Sequence, residues 1–280
     1  MKVIYTDTIE SITLVSGTVD AEYPLTNLQN GHPRKPFRTT TPSCVIRVVE
    51  PGIATACAIV LTNASSVSVA AVIAMTYEWG ESEAGAIITA GQDETGATIA
   101  WVDESDEVET WEQEFDNFDG ETGFFFAEFP ALLTSGTRTI DITLTALDHS
   151  YVSAGLLVIG KSLSFRDFRH SSYKGGYLDN GTEIELHDGS IWYKPGMVQR
   201  APEGHVVMHS GITGPDPAGY ATYKDFDEKI IRPLGKTPLA WKLSQNGNLT
   251  NIFAGLDEMP SEVAHGLDYK LVSIKLREKL

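Results

Sequence analysis

Hydrophobic and polar residues alternate along much of the first 160 residues of the chain. From Arg138 to Leu147, the side chains of Ile140, Ile142 and Leu144 share one face and polar side chains occupy the other. A period of two residues is typical of a half-buried β-strand. Similar stretches predict strands at 43–49, 56–62, 66–77, 85–89, 124–129 and 151–159. Because Gly, Pro and Asn separate these stretches, we predict an antiparallel β-sandwich.

From residue 161 onwards the pattern is mixed, and we predict a smaller α+β domain at 161–280. The spacing of Phe226, Ile230 and Ile231 predicts a helix over 223–231 that Pro233 ends. Further strands are predicted at 182–187, 191–193, 238–243, 251–256 and 269–277. The chain is therefore predicted to be mostly β, with a sandwich at 1–160, an acidic insert at about 93–121 within it, and the α+β domain after it.

Acidic side chains are concentrated in one stretch of the chain, whose formal net charge is −17. No Lys or Arg occurs between Arg47 and Arg138, and 17 Asp and Glu lie from Glu50 to Glu128. The other 190 residues carry 21 acidic and 21 basic side chains, so their charges balance. Because nucleic-acid phosphates require cations, this stretch argues against nucleic-acid binding. It favours a basic protein partner or a solvated loop face.

Aromatic side chains are mixed with carboxylates between Asp103 and Asp119, where we predict a long loop or a short helix on the outside of the sandwich. Aromatic residues carry much of the binding energy of protein interfaces, and they also offer faces on which sugar rings stack. The alternative is that they are core residues of an insert that folds back on the sandwich. The candidate binding residues are the aromatic and polar side chains of Trp101, Trp111, Phe115, Asp116 and Asp119.

The sequence contains none of the common catalytic motifs. It has no GxSxG elbow, no HExxH pair, no Walker loop and no GxGxxG after a strand. Carboxylate pairs for glycoside hydrolysis could be drawn from the acidic stretch, but so many carboxylates form such pairs by chance. We therefore expect no catalytic residues, no cofactor and no enzyme activity, and a glycan-degrading enzyme is the least favoured alternative.

No metal site is expected. His205 and His209 flank a Val-Val pair that predicts a strand, on which the two side chains would lie about 13 Å apart. Residues 116–121 faintly resemble a calcium loop, but their ligand spacing differs from that of an EF-hand. Cys44 and Cys57 belong to no CxxC pair. Two free thiols are favoured over a disulfide between neighbouring strands.

The chain carries no sequence signal for a membrane. No apolar run approaches the roughly 20 residues of a membrane helix. The first ten residues include acidic side chains where a signal peptide has its apolar stretch. We therefore expect no membrane insertion and no secretory signal.

Two segments near the start resemble a known family. Their residues are Tyr23, Pro24, Asn27 and Leu28 in Tyr-Pro-Leu-x-Asn-Leu, and Phe37 and Arg38 in aromatic-Arg-Thr-Thr. This pattern resembles the opening of the discoidin-like, galactose-binding-like jelly-roll domains in virion proteins of tailed bacteriophages. The stretch 151–160 resembles their last sandwich strand, and segments at 188–200 and 238–278 resemble phage tail proteins. We expect these motif residues to hold the fold together, through a fixed proline φ, asparagine turn hydrogen bonds and an arginine that anchors carbonyls or a carboxylate.

The resemblance implies a virion structural protein of a bacteriophage tail or baseplate, made in the host bacterial cytoplasm. Such a protein acts through protein–protein contacts, so the implied partners are other tail or baseplate proteins and further copies of the chain in a trimer or hexamer. Nucleic acid is not among the implied partners. The alternative implied by the discoidin-like pattern is a carbohydrate-binding module that contacts glycans on the host surface.

Overall fold

The computed structural model describes residues 1–73, 111–114, 123–129, 137–147, 149–169, 171–179, 181–185, 191–194, 198–243, 251–266 and 268–279. The chain divides into two compact units. The sandwich unit is Thr6–Ser162, and the C-terminal unit is Leu163–Leu280 together with Met1–Tyr5. The sequence assigned residues 1–160 to the first domain, whereas the first five residues join the other unit because strand β1 (Lys2–Ile4) pairs there.

The sandwich unit is built from two antiparallel sheets. Its strands are β2 (Ser11–Ser16), β3 (Phe37–Arg38), β4 (Ser43–Glu50), β5 (Ala56–Thr62), β6 (Ser66–Ile73), β7 (Trp111–Glu114), β8 (Gly123–Glu128), β9 (Arg138–Thr145) and β10 (Ser153–Gly160). One sheet has the order β2-β4-β9-β6-β7 and the other has the order β3-β10-β5-β8. A short 3₁₀ helix, Leu25–Gln29, lies between β2 and β3 in the chain.

The predicted mostly β fold with a sandwich is confirmed, and its strands follow the hydrophobic pattern. Along β9, buried and half-buried residues alternate strictly, with Ile140, Ile142 and Leu144 in the core. Strands β5 and β10 are buried along almost their whole length, as their unbroken apolar runs predict. Cys44 of β4 and Cys57 of β5 lie in the core as free thiols. Burial raises the pKa of the Cys44 thiol to about 12 and also raises that of Cys57.

One part of the acidic stretch differs from the prediction of a loop or short helix. Residues Trp111–Glu114 form strand β7, which pairs antiparallel with β6 from Ser66 to Val69. Without β7 this end of β6 would be a sheet edge with unpaired backbone groups, and the pairing satisfies them. The remainder of the insert at 93–121 lies outside the described residues.

A buried ion pair closes one end of the sandwich. Glu50 and Arg138 face each other across β4 and β9, and their side chains are 0% and 1% exposed. Arg138 Nε donates to Glu50 Oε1 at 2.6 Å, and another guanidinium nitrogen donates to the Ala54 carbonyl at 2.6 Å. Glu50 Oε2 accepts the backbone N–H groups of Ile53 and Ala54. The pair thus joins two strands of one sheet to the loop that leads into β5.

We predict that Glu50→Gln destabilises the sandwich unit by about 3–5 kcal/mol, because it removes the carboxylate charge that faces the buried Arg138 guanidinium. Urea denaturation followed by tryptophan fluorescence measures the loss. The matched control is Asp141→Asn, which breaks the ion pair to the 41% exposed Arg47. This control should cost less than about 1 kcal/mol. Equal losses in the two variants would contradict the prediction.

The C-terminal unit contains one larger antiparallel sheet and two two-stranded ribbons among the residues that the structure describes. Its strands after β1 are β11 (Ser162–Ser164), β12 (Tyr177–Asp179), β13 (Thr182–Glu185), β14 (Ile191–Lys194), β15 (Val198–Arg200), β16 (Glu203–His209), β17 (Leu239–Lys242), β18 (Asn251–Leu256), β19 (Ser261–Ala264) and β20 (Tyr269–Glu278). The main sheet has the order β11-β1-β17-β18-β20-β16, and β19 pairs with β20.

A helical segment packs into the core of this unit. It comprises α1 (Tyr223–Phe226), a π-helical stretch at Asp227–Ile231, and α2 (Arg232–Leu234). Thr222 and Asp225 form a capping box at its start. Phe226 and Ile230 are buried as predicted. Pro233 does not end the helix, because the π-helical stretch changes the backbone pairing before it; Gly235, with φ of 54°, follows the last turn. Among the described residues, no helix is both long and apolar enough to span a membrane.

Candidate functional site

The motif residues near the start surround a stacked arginine in the sandwich unit. The Arg38 guanidinium carbon lies 4.4 Å from the Tyr23 ring centroid and 4.3 Å from that of Tyr151. Such stacking favours a planar guanidinium over an ammonium. Phe37 and Leu28 are fully buried in the core. These residues therefore connect the 3₁₀ segment, β3 and the start of β10.

Asparagine side chains hold the loop that carries this motif. Asn27 Nδ2 donates to the Pro36 carbonyl at 2.9 Å, and Asn30 Oδ1 accepts the His32 N–H at 2.7 Å. The predicted hydrogen bonds from asparagine side chains to the backbone are thus present. Pro24, the residue before the 3₁₀ helix, is extended with φ of −66°. The geometry around the motif is that of a packed scaffold.

The predicted binding residues of the acidic insert are not brought together by any described contact. Trp101, Phe115, Asp116 and Asp119 lie outside the described residues. Trp111 is the first residue of β7, and the structure describes its backbone alone. Their role as binding residues therefore stays a prediction.

The histidine pair considered for metal binding lies on strand β16, as the sequence predicted. His205 is exposed, whereas His209 is 5% exposed and packs edge-on against the Tyr269 ring at 5.3 Å. His209 Nδ1 accepts the Gly211 N–H at 3.2 Å. Within the described ranges, no group of three or more His, Cys, Asp or Glu could hold a metal ion.

The candidate site that the structure adds is the loop between β11 and β12, which we call the edge loop (residues 169–176, with 170 not described). It runs along β16: Arg169 N–H donates to the His205 carbonyl at 2.9 Å, and Lys174 and Glu203 exchange backbone hydrogen bonds at 2.8 and 2.9 Å. Ser172 Oγ accepts the His205 N–H at 3.0 Å and donates to the Arg169 carbonyl at 2.9 Å. The loop is therefore held at both ends and in the middle.

A polar hollow of about 500 Å³ opens between the edge loop and the face formed by β16 and β20. Its lining is basic and hydroxyl-rich, and consists of Arg169, Ser171, Ser172, Lys174, Glu203, Gly204, His205, Ser273 and Lys275. His205 faces Ser273 and Glu203 faces Lys275 across the two strands. Lys174 Nζ lies 3.1 Å from a Glu203 carboxylate oxygen, and Lys275 Nζ lies 3.0 Å from one of Glu258. The hydrogen bond that Lys275 donates to Glu258 raises the pKa of Lys275.

A smaller groove of about 130 Å³ is lined by the C-terminal end of the same loop. Tyr173 and Tyr177 line it together with Gly175, Gly176 and Arg200. Tyr173 is half-buried against Phe168, with ring centroids 5.6 Å apart, and burial raises its pKa. Tyr177 is 74% exposed. The groove therefore offers one anchored and one free aromatic ring.

Sequence reasoning missed the edge loop. The available signal was its composition, since basic, serine, glycine and tyrosine residues follow one another from Arg169 to Tyr177. That composition is also typical of an ordinary surface loop. Only the pairing with β16 shows that these side chains share a hollow with Lys275, which lies about a hundred residues further along the chain.

We predict that Ser172→Ala loosens the edge loop, because it removes the acceptor for the His205 N–H at a cost of about 0.5–1.5 kcal/mol. Hydrogen exchange at the His205 amide should become faster. Ser171→Ala is the matched control, since Ser171 lines the hollow but its hydroxyl forms no hydrogen bond with the described part of the chain. Unchanged exchange at His205 in Ser172→Ala would show that the loop does not depend on this hydroxyl.

Comparison with known proteins gives distant structural likenesses. No family model matches the chain, and no curated protein matches it. Among solved structures, reduced XRCC1 bound to the DNA polymerase β catalytic domain is 10% identical over 57% of this chain and 98% of that chain, with a TM-score of 0.34. Truncated AlyQ with CBM32 and alginate lyase domains is 13% identical over 78% of this chain and 51% of that chain, with a TM-score of 0.31. These scores are too low for either likeness to bear on fold or function.

Proposed function

We propose that the chain is a virion structural protein of a bacteriophage tail or baseplate, which acts through contacts with further copies of itself and with other tail proteins. The resemblance of the motif around Tyr23 and Arg38 supports this proposal. So does the role of that motif in the sandwich, where its residues pack into a scaffold. The proposal places the assembly contacts on the C-terminal unit.

The observation that carries the proposal is the ribbon formed by β12 and β15, one of the two ribbons in that unit. Strand β12 pairs with β15 and β13 pairs with β14, so the chain runs out along one strand and returns along the other. At its base, the backbone N–H and the guanidinium of Arg200 donate to Glu278, whose side chain is 6% exposed. On one face of the ribbon, Tyr177 and Val198 are 74% and 54% exposed.

This exposure is unfavourable for a chain that stands alone. A two-stranded ribbon is marginally stable in water unless another surface covers it. When a partner removes tyrosine and branched aliphatic side chains on such a ribbon from water, their burial contributes favourable free energy of association. Symmetric self-association would cover the same two side chains on every copy. We therefore assign this face of the ribbon to a contact between copies.

We predict that the full chain forms a trimer or hexamer and that Tyr177→Ser combined with Val198→Ser shifts it towards monomer. Truncating two central anchors costs about 2–4 kcal/mol of association energy. Light scattering coupled to size-exclusion chromatography, over a range of protein concentrations, measures the shift.

The matched control is Ile212→Ser combined with Met259→Ser. These residues are 82% and 56% exposed in the same unit and lie on neither strand of the ribbon. Their replacement should leave the oligomer intact. A wild-type chain that stays monomeric, or an equal loss in the control, would contradict the assignment of the ribbon.

The role in the virion has its own test. In the phage that encodes the chain, particles assembled without it should lack a complete tail tip or baseplate when examined by electron microscopy. Normal, infective tails made in its absence would end the proposal, whatever the oligomeric state of the purified chain.

A second candidate function, carbohydrate binding at the host surface, is favoured by the groove between Tyr173 and Tyr177. Two tyrosine rings line this groove, and the exposed ring of Tyr177 offers a face on which a sugar ring can stack. If this function holds, a glycan array should show saturable binding that Tyr177→Ser abolishes and Ile212→Ser retains. Absence of binding across a broad array would count against it.

A further inference from the structure

The polar hollow beside the edge loop has a charge opposite to that of the chain as a whole. The chain carries a formal net charge of −17. The hollow is lined by three cations, Arg169, Lys174 and Lys275, and by one carboxylate, Glu203. Cations from a loop and from a distant strand are brought together in it. Such convergence stabilises a bound anion more than isolated surface cations do.

The ion pairs that these cations already form are too weak to prevent the cations from binding a ligand. The Lys174 side chain is 76% exposed where it meets Glu203, and the Glu258 partner of Lys275 is 64% exposed. Exposed pairs of this kind contribute about 0–1 kcal/mol. Within the described residues, Arg169 has no carboxylate partner. A planar guanidinium that is free to bind can hold a carboxylate or phosphate through two parallel hydrogen bonds.

The hollow is larger than a single oxyanion requires. Its volume of about 500 Å³ lies in the range of sites that hold a small organic ligand. The remaining lining is rich in groups that bind hydroxyls: Ser171 and Ser273 offer hydroxyl groups, and His205 offers ring nitrogens. The floor is the paired strands β16 and β20, and the edge loop is fixed by its backbone bonds to β16. The backbone of the site is therefore held in place before a ligand binds.

We propose that this hollow binds an acidic saccharide, whose carboxylate or phosphate group is held by Arg169 and Lys275. The serine hydroxyls, His205 and Glu203 bind the hydroxyl groups of the same sugar. This site is separate from the assembly face of Tyr177 and Val198, and it does not depend on the proposed role in a phage tail. A uronate and a sugar phosphate present the same oxyanion chemistry to it.

The test is isothermal titration of the full chain at physiological ionic strength with four probes: a tetrauronate, a sugar monophosphate, a neutral tetrasaccharide and inorganic phosphate. We expect saturable binding of the tetrauronate, the sugar phosphate or both, and much weaker binding of the neutral sugar. Arg169→Gln should weaken the affinity for the acidic ligands by about tenfold. Inorganic phosphate should displace them, since it competes for the same cations.

Lys224→Gln is the matched control, because it removes one positive charge from an exposed helical position of the same unit that does not line the hollow. It should leave the affinity unchanged. An equal loss in Lys224→Gln would overturn the proposal by showing diffuse charge attraction. Binding of the neutral sugar as tightly as the tetrauronate, binding of inorganic phosphate alone, or no saturable binding of any acidic probe would each overturn it as well.

Discussion

The buried ion pair of Glu50 and Arg138 is the constraint on which the sandwich depends. It lies where β4 ends and β9 begins, and Glu50 accepts the backbone N–H groups of the turn that leads to β5. Burial lowers the pKa of Arg138, and the nearby charge of Glu50 acts in the opposite direction. The Arg138 guanidinium also lies 4.5 Å from the centroid of the Phe129 ring, just after β8. One charged contact thus fixes the ends of strands that belong to both sheets, and the alternating apolar side chains fill the space between them.

In the C-terminal unit, a loop covers the edge of one strand, whereas a ribbon elsewhere leaves side chains exposed. The edge of β16 is covered by the loop from Arg169 to Lys174, whose backbone groups pair with it. A covered edge cannot recruit another strand, so the side chains above it remain available for a small ligand. The ribbon of β12 and β15 is anchored at its base through Arg200, but it leaves Tyr177 and Val198 exposed. Exposed apolar and aromatic side chains on such a ribbon are suited to a protein partner. The proposed saccharide site therefore lies beside a covered strand edge, and the proposed contact between copies lies on an exposed ribbon.

Elements with a local or repeated hydrophobic pattern can be predicted from the sequence, whereas contacts between distant segments cannot. Strand β9 is evident from its alternation, and β5 from its unbroken apolar run. Strand β1 is only three residues long, so no periodicity could reveal that it pairs with β17 in the other unit. No periodicity reveals the π-helical stretch before Pro233 either, whose Ile230 packs into the core of the unit beside Phe226.

The candidate sites were harder to predict for the same reason. A stacked arginine requires Tyr151 to approach a motif more than a hundred residues earlier in the chain. The hollow requires Lys275 to stand beside the edge loop through the pairing of β16 with β20. Composition drew attention to the acidic insert because its charge is extreme, whereas the cations of the hollow are dispersed in a sequence with balanced charge. At physiological ionic strength, fields are screened beyond about 8 Å. Within that distance, a bound anion interacts mainly with the few charged side chains that folding brings together. A site can therefore be positively charged in a chain whose net charge is negative.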